Sequence, residues 1–397
     1  MAERWARLAA LAVHGANVQP GQVVIVNAEL EQAELARAVA AAAYRRGAKF
    51  VDVVYFDPYV KRERIAHADP ESLEFVPDWY GERMNLHAAD HGARVTISGP
   101  TAPGLLNGLD PSRVGRDRLP YTKEVPRIVS ERSTNWTIVP CPHRAWAQLV
   151  YEGLPADEAY ERLWRELEHV LRLDEPDAEA AWDERMQTLR ASADRLTARR
   201  FDAFELRGPG TELTIGMLPT HQWWAADFVT TTGLRHMPNL PTEEVFTTPD
   251  PARTEGHVTS TKPLVLRDGT IIQGLRVRFE GGVAVSIDAD ENAEALRAQV
   301  ALDEGALRLG ELALVDRQGR IGPLGTVFYD TLLDENAASH IALGNGFSFL
   351  VDEAHADRVN LSGTHVDFMI GSPELDVDGV TADGERVPVL RGGDWQV

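Results

Sequence analysis

The chain has 397 residues, and its 61 acidic against 40 basic side chains give a formal net charge of −21 at pH 7. This excess of negative charge disfavours nucleic acid and anionic membranes as partners. The single cysteine, Cys141, excludes an intrachain disulfide and a thiolate zinc site, and no run reaches the ~18 apolar residues of a membrane span, so we expect a cytoplasmic protein.

The first part of the chain alternates between strand and helix patterns. Residues 23–27 and 50–56 are rich in β-branched and aromatic residues, and the alanine-rich segment 32–46 between them ends at Gly47. This βαβ pattern predicts a parallel sheet, to which residues 94–98 and 136–139 add strands. The turn after the first strand has no G-x-G-x-x-G or Walker pattern, so nothing there indicates a nucleotide site.

Two long helices are predicted over residues 156–173 and 178–199, where Trp164 and Trp182 lie at helical spacing among apolar residues, as in a packed core. From residue 201 the pattern becomes that of strands, with a hairpin over 271–287 and a helix over 292–309. We therefore predict an α/β N-terminal domain with a parallel sheet (residues 1–200). A mixed α+β, strand-rich C-terminal domain follows (residues 201–397).

Glutamates interrupt two apolar stretches of the C-terminal domain. Glu243 and Glu244 lie in a segment of β-branched and aromatic residues bounded by prolines, and Glu311 heads an apolar strand. A glutamate at such a position is usually an edge charge, but it can also point into a site. Upstream, residues 221–224 (His-Gln-Trp-Trp) fit either the lining of a pocket for an apolar substrate side chain or plain packing.

Two further segments carry potential metal ligands. His365 and Asp367 are two apart in an alternating stretch, so a strand would place both on one face, either around a metal or as an exposed hydrogen-bonded pair. Glu335 and His340 are five apart, which one straight helix cannot aim at one ion. We expect a loop entering a helix over residues 337–343, with Asp334 or Asn336 as its N-cap and Gly344 ending it.

These segments together resemble the thermophilic-type metalloaminopeptidases, the family of aminopeptidase T, aminopeptidase S and PepS-like enzymes. The resemblance runs over the whole chain, with its motifs in the family's order, and is densest in residues 239–247, 310–315, 334–342, 365–371 and 374–379. It implies that residues 201–397 form a metal-binding catalytic domain.

The resemblance also implies a dinuclear metal site. Its ligands would be Glu244, Glu311, Glu335, His340, His365 and Asp367. Glu244 matches the second glutamate of the family motif, and Glu243 should face away from it because adjacent strand residues point in opposite directions. The family usually has a tyrosine seven residues after the first histidine, where this chain has Phe347.

The expected activity is that of a metalloaminopeptidase that releases N-terminal amino acids from short peptides with a metal-activated water. Carboxylate and imidazole ligands suit zinc or cobalt, with manganese or magnesium as alternatives. Glu243, Glu244 and Glu311 all remain candidates for the general base. The family likeness further implies a homodimer. The alternatives are a dinuclear amidase or dipeptidase, or a scaffold with a relict metal site, for which Phe347 is the best argument.

Overall fold

A computed structural model describes residues 1–119, 124–266 and 270–397 of the chain. Its helices are α1 (Ala2–Gly15), α2 (Ala33–Arg45), α3 (Pro58–His67), α4 (Asp78–Ala89), α5 (Pro111–Arg116), α6 (Glu124–Ser130), α7 (Arg144–Val150), α8 (Ala156–Val170), α9 (Ala178–Arg199), α10 (Ala293–Val300) and α11 (Thr331–Glu335). None of these described helices is long and apolar enough to span a membrane.

The strands are β1 (Val23–Glu29), β2 (Phe50–Phe56), β3 (Ala93–Ser98), β4 (Asn135–Pro140), β5 (Ala203–Gly208), β6 (Thr211–Met217), β7 (Trp224–Ala225), β8 (Phe228–Val229), β9 (Arg235–His236), β10 (Glu244–Thr247), β11 (Pro249–Thr259), β12 (Leu264–Val265), β13 (Ile271–Ile272), β14 (Arg276–Glu280), β15 (Val283–Asp288), β16 (Leu309–Val315), β17 (His340–Gly344), β18 (His365–Met369), β19 (Asp376–Val380), β20 (Arg386–Arg391) and β21 (Asp394–Trp395). Short 3₁₀ turns connect several of them.

The described residues divide into two compact units. The first unit comprises Met1–Asp183 and Asp227–Thr242, and the second comprises Glu184–Ala226 and Glu243–Val397. The division falls inside α9, whose C-terminal end coincides with the domain boundary that we propose from the sequence.

The first unit contains the predicted parallel sheet, in the order β2-β1-β3-β4. Its central strand β1 is buried on both faces, with Val24 and Val26 fully buried on one and Ile25 only 2% exposed on the other, as a parallel sheet covered by helices requires. Trp5 and Trp164 pack edge to face with their ring centroids 4.6 Å apart. Trp164 and Trp182 are both buried, so their assignment to the core is confirmed.

The second unit contains two antiparallel sheets. The larger follows the order β15-β14-β11-β6-β5-β19-β20-β21, and the smaller follows β18-β17-β16-β10-β7. The predicted hairpin is formed by β14 and β15, while Ile271 and Ile272 pair separately with β12. The helix predicted over 292–309 is α10 alone, because a 3₁₀ turn at Gly305–Leu307 and the start of β16 take up the rest.

The helix predicted over residues 337–343 is wrong, because His340–Gly344 is the buried strand β17. Pairing with β16 on one side and β18 on the other outweighs the helix propensity of the nearby alanines. The helix of this region is α11, which ends at Glu335 and is capped by Asp330, whose carboxylate accepts the Leu333 N–H. Asp334, one of the two predicted caps, instead accepts the backbone N–H of Phe328 at 2.9 Å.

Candidate metal centre

The smaller sheet carries most of the predicted ligands on neighbouring strands. Glu244 begins β10, Glu311 lies on β16, His340 begins β17, and His365 and Asp367 lie on β18. The strands are adjacent in the order β18-β17-β16-β10, so residues far apart in the chain become neighbours across the sheet.

The strand register places these side chains on one face. Glu311 pairs with Ala342, which pairs with Asp367, and His340 pairs with Ala313. Residues directly opposite each other in a sheet project to the same side. The small side chains of Ala313 and Ala342 therefore leave space between the larger polar ones.

The polar atoms of this face converge into two overlapping groups. Ligand atoms of Glu244, Glu311 and His340 lie within 4.8 Å of one another, and so do those of Glu311, His365 and Asp367. His340 Nε2 is 3.0 Å from Glu244 Oε2. His365 Nε2 is 3.1 Å from Glu311 Oε2 and 3.2 Å from Asp367 Oδ1. Glu311 belongs to both groups.

The backbone fixes the tautomer of both histidines. His340 Nδ1 lies 3.1 Å from the carbonyl oxygen of Ala338, and His365 Nδ1 lies 2.8 Å from that of Asn345. A carbonyl oxygen only accepts hydrogen bonds, so each Nδ1 carries a proton. In the neutral ring, Nε2 then directs a lone pair at carboxylate oxygens. This arrangement requires a cation between them, either a proton or a metal ion.

The acidic surroundings govern the protonation of the two histidines. Burial by itself lowers the pKa of His340, but the hydrogen bond and charge of Glu244 raise it well above its ordinary value. Burial likewise lowers the pKa of His365, and the charges of Asp367 and Glu311 outweigh it and raise this pKa too. Burial raises the pKa of Glu311. The site therefore retains positive charge strongly, as a cation site must.

Glu335 lies near this cluster but outside the two groups. Burial raises the pKa of its carboxyl well above the ordinary value, and the charges of Asp367 and Glu244 raise it further. Its carboxyl therefore faces the same concentration of negative charge. The side-chain amide of Asn336 donates from Nδ2 to Glu335 Oε1 at 3.5 Å.

Glu243 is held in a different way from Glu244. Its Oε2 accepts a hydrogen bond from Arg185 Nε at 2.6 Å, and its backbone N–H donates to Asn336 Oδ1 at 2.7 Å. The same guanidinium donates from Nη2 to Asp316 Oδ1 at 2.9 Å. All three members of this ion-pair cluster, Arg185, Glu243 and Asp316, are buried.

Arg185 is not among the residues predicted from the sequence, although its position carried a signal. It falls on the apolar stripe of α9, four residues before the buried Leu189. An arginine on a buried helix face needs a charged partner, because burying an unpaired charge is costly. Its partners lie at Glu243 and Asp316, distant in the chain, and no local pattern reveals them.

Aromatic side chains border the centre. Phe347, at the position where the resemblance leads us to expect tyrosine, has its ring centroid 5.5 Å from that of His365. His221 and Trp223 of the upstream segment are buried, whereas Trp224 is partly exposed. Cys141, in the first unit, is buried, and burial raises the pKa of its thiol.

Comparisons with known proteins confirm the family that the sequence resembles. The model of a thermophilic metalloprotease family (M29) matches residues 1–395. Aminopeptidase T of Thermus thermophilus is 43% identical over 401 residues, which cover 98% of each chain. Aminopeptidase PepS of Streptococcus thermophilus is 36% identical over 411 residues, covering 100% of this chain and 98% of that protein. The solved structure of wild-type AmpT from Thermus thermophilus matches with a TM-score of 0.92 and 42% identity, covering 100% of this chain and 99% of its own.

Proposed function

Because the chain belongs to the thermophilic metalloprotease family (M29), a family of hydrolases with members named aminopeptidases, we propose that it releases N-terminal amino acids from short peptides using two divalent metal ions. One observation carries this proposal. Two histidines whose Nδ1 protons are bound by backbone carbonyls turn their Nε2 atoms towards carboxylate oxygens 3.0–3.2 Å away.

The donor set fits two ions better than one. We propose as ligands Glu244, Glu311, Glu335, His340, His365 and Asp367. Four carboxylates with two neutral imidazoles carry a formal charge of −4, which two divalent cations would cancel. Glu311, a member of both groups, would be shared between the ions. Nitrogen and oxygen donors without a thiolate favour zinc or cobalt, and manganese or magnesium are compatible with the carboxylates.

The chain's own residues would bind and orient the peptide and move its protons. Divalent ions in this centre would supply Lewis-acid activation of water and of the scissile carbonyl. The formal net charge of −21 of the chain favours a positively charged peptide amino terminus, and binding of that terminus at the centre would restrict cleavage to the first residue.

A general base must accept a proton from water and return it to the leaving amine. Glu243 is a poor candidate because Arg185 occupies its carboxylate. Glu244 and Glu311, which border the centre, remain the candidates.

We also propose an oligomeric state, a compartment and a substrate size. The family likeness supports a homodimer, and the buried free thiol of Cys141 is compatible with a reducing cytoplasm. Since only a short substrate would enter a cavity enclosed by such a dimer, we propose short peptides as the substrates.

The test compares free and blocked substrates on the purified full-length chain. Leucine and N-acetyl-leucine aminomethylcoumarin are assayed after removal of metal by a chelator and again after addition of zinc or cobalt. We expect turnover of the free-amine substrate alone, lost with chelator and restored by metal.

Equal cleavage of the blocked substrate would favour the amidase alternative. Bound metal without turnover of the free-amine substrate, with zinc or cobalt and also with manganese or magnesium in their place, would favour the relict scaffold. Metal analysis of the same samples separates the second result from a simple failure to load the centre.

A further inference from the structure

Four aromatic side chains form a continuous series that starts at the metal centre. Phe347, beside His365, is 5.3 Å from Phe246 and 5.5 Å from Phe349, measured between ring centroids. Phe349 is in turn 5.2 Å from Trp224. We call Phe246, Phe347, Phe349 and Trp224 the aromatic ladder. Every spacing lies in the range that aromatic pairs favour.

The sheet itself aligns part of the ladder with the metal centre. Phe246 pairs with Ala313 on one side and with Trp224 on the other. Ala313 also pairs with His340, so His340, Phe246 and Trp224 project from the same face in one row. Phe246 and Trp224 therefore extend laterally the face that carries the proposed ligands.

Burial differs along the ladder in a way that suits a binding wall. Phe246 is only 4% exposed and forms its base. Phe347, Phe349 and Trp224 are each half-buried, so part of every ring faces solvent. The indole N–H of Trp224 donates to Gln222 Oε1 at 3.3 Å, which satisfies the polar group of that ring. The exposed surface of the ladder is thus uncharged and largely apolar.

We propose that the aromatic ladder holds the side chain of the substrate's N-terminal residue and selects large apolar or aromatic side chains there. This inference rests on the proposed function. In an aminopeptidase, the amine and carbonyl of the first residue occupy the metal centre, so its side chain must extend over the adjoining surface. Phe347 is the part of the ladder that adjoins the centre, through His365.

The experiment measures kcat/KM for a panel of aminoacyl aminomethylcoumarins that differ only in the amino acid: Phe, Leu, Ala, Lys and Glu. For the zinc- or cobalt-loaded wild-type chain, we expect Phe and Leu to exceed Ala by about tenfold or more. Phe349→Ala should lower the ratio of kcat/KM for the Phe substrate to kcat/KM for the Ala substrate by about tenfold, because it removes the ring between Phe347 and Trp224. Phe349→Asp should raise the ratio of the Lys to the Phe substrate, since a carboxylate would face the side chain.

Phe75→Ala is the matched control, because Phe75 is a 64% exposed phenylalanine outside the ladder. It should leave both ratios as in the wild type. A raised Lys preference in Phe349→Asp cannot arise from misfolding, which lowers all rates together.

The outcomes separate the two proposals. If the wild type hydrolyses the panel and neither Phe349 variant changes the ratios, the pocket assignment is overturned and the aminopeptidase proposal stands. If the metal-loaded wild type hydrolyses nothing, the proposed function itself fails.

Discussion

Glu243 and Glu244 are neighbours at the start of β10, and their carboxylates point to different partners. Glu243 is bound by Arg185, and Glu244 lies 3.0 Å from His340 Nε2. Alternation along an extended chain sends one side chain towards α9 and the other towards the donor cluster. Two chemically identical residues therefore have opposite expected roles, one in stability and one in metal binding.

Exchanging each glutamate for glutamine should separate these roles. Glu244→Gln should lower the bound metal and reduce kcat/KM by at least about a hundredfold, since even partners of ligands are worth tenfold to a hundredfold. Glu243→Gln should keep its metal but lower the free energy of unfolding by about 3 kcal/mol, because it weakens a buried ion pair. Metal analysis, kinetics and urea unfolding of both variants provide the check. Metal loss from Glu243→Gln alone would reverse the assignment.

His236 makes the first unit sensitive to acid. It is buried, with its ring centroid 6.1 Å from those of both Trp136 and Phe228. Burial lowers its pKa from 6.5 to about 4. The unfolded chain therefore binds this proton more readily than the folded chain does. The stabilisation is complete above about pH 6.5 and is lost as the pH falls towards 4.

Replacing His236 by phenylalanine should reduce this pH dependence. A pKa difference of about 2.5 units corresponds to roughly 3 kcal/mol of unfolding free energy between pH 7 and pH 4. We expect the difference in urea midpoint between pH 7 and pH 4.5 to be smaller in His236→Phe than in the wild type. His257→Gln, at an exposed histidine, is the control. Identical differences in all three proteins would contradict the role of His236.

At the level of elements, an irregularity in β16 sets the position of Glu311. The register between β16 and β17 shifts between Leu309 and Glu311. At the intervening Gly310, a β-carbon would lie 2.4 Å from the carbonyl oxygen of Gly344 and 2.3 Å from that of Asn345. Only glycine permits this approach, which brings Glu311 opposite Ala342 and in line with Asp367.

Gly310→Ala should therefore impair metal binding without changing any ligand. The added methyl group would push β16 from β17, at a cost of about 1–3 kcal/mol, and would move Glu311 out of both ligand groups. We expect the metal dissociation constant to rise by more than about tenfold, the scale seen when ligand supports are lost. Gly115→Ala is the control, because a methyl group there meets nothing within 4 Å. Equal metal affinity in the two variants would show that the irregularity does not position Glu311.

For the whole molecule, the main electrostatic feature is the cluster of like-charged carboxylates at the candidate metal centre. It lies in a chain whose formal net charge is −21. Without cations, repulsion among these carboxylates opposes folding of the second unit. Bound divalent ions would reverse that effect and stabilise the folded chain by mass action.

Chelation should accordingly lower the melting temperature by several degrees, because a ligand at about 100 times its Kd stabilises by about 2.7 kcal/mol. Scanning fluorimetry with chelator and then with excess zinc should show a reversible shift. Glu311→Gln should show a smaller one, since Glu311 contributes to both ligand groups. A melting temperature indifferent to chelator in the wild type would argue against ions at the centre.

Several features were predictable because they depend on residues close together in the chain. The alternation around His365 and Asp367 predicted a strand with both on one face, and β18 confirms that strand. The βαβ spacing likewise predicted the parallel sheet of β1–β4. The single cysteine in the composition excludes a site built from several thiolates.

Other features were decided by contacts between distant segments. Local propensity predicted a helix over residues 337–343. Hydrogen bonding to β16 and β18 instead makes His340 the start of a strand. The partners of Arg185 and the alignment of Phe246 with Trp224 depend in the same way on strand register and packing. Chemistry and periodicity are local properties of a sequence. The choice of which side chains meet depends on pairing between remote strands, and only the tertiary structure contains it.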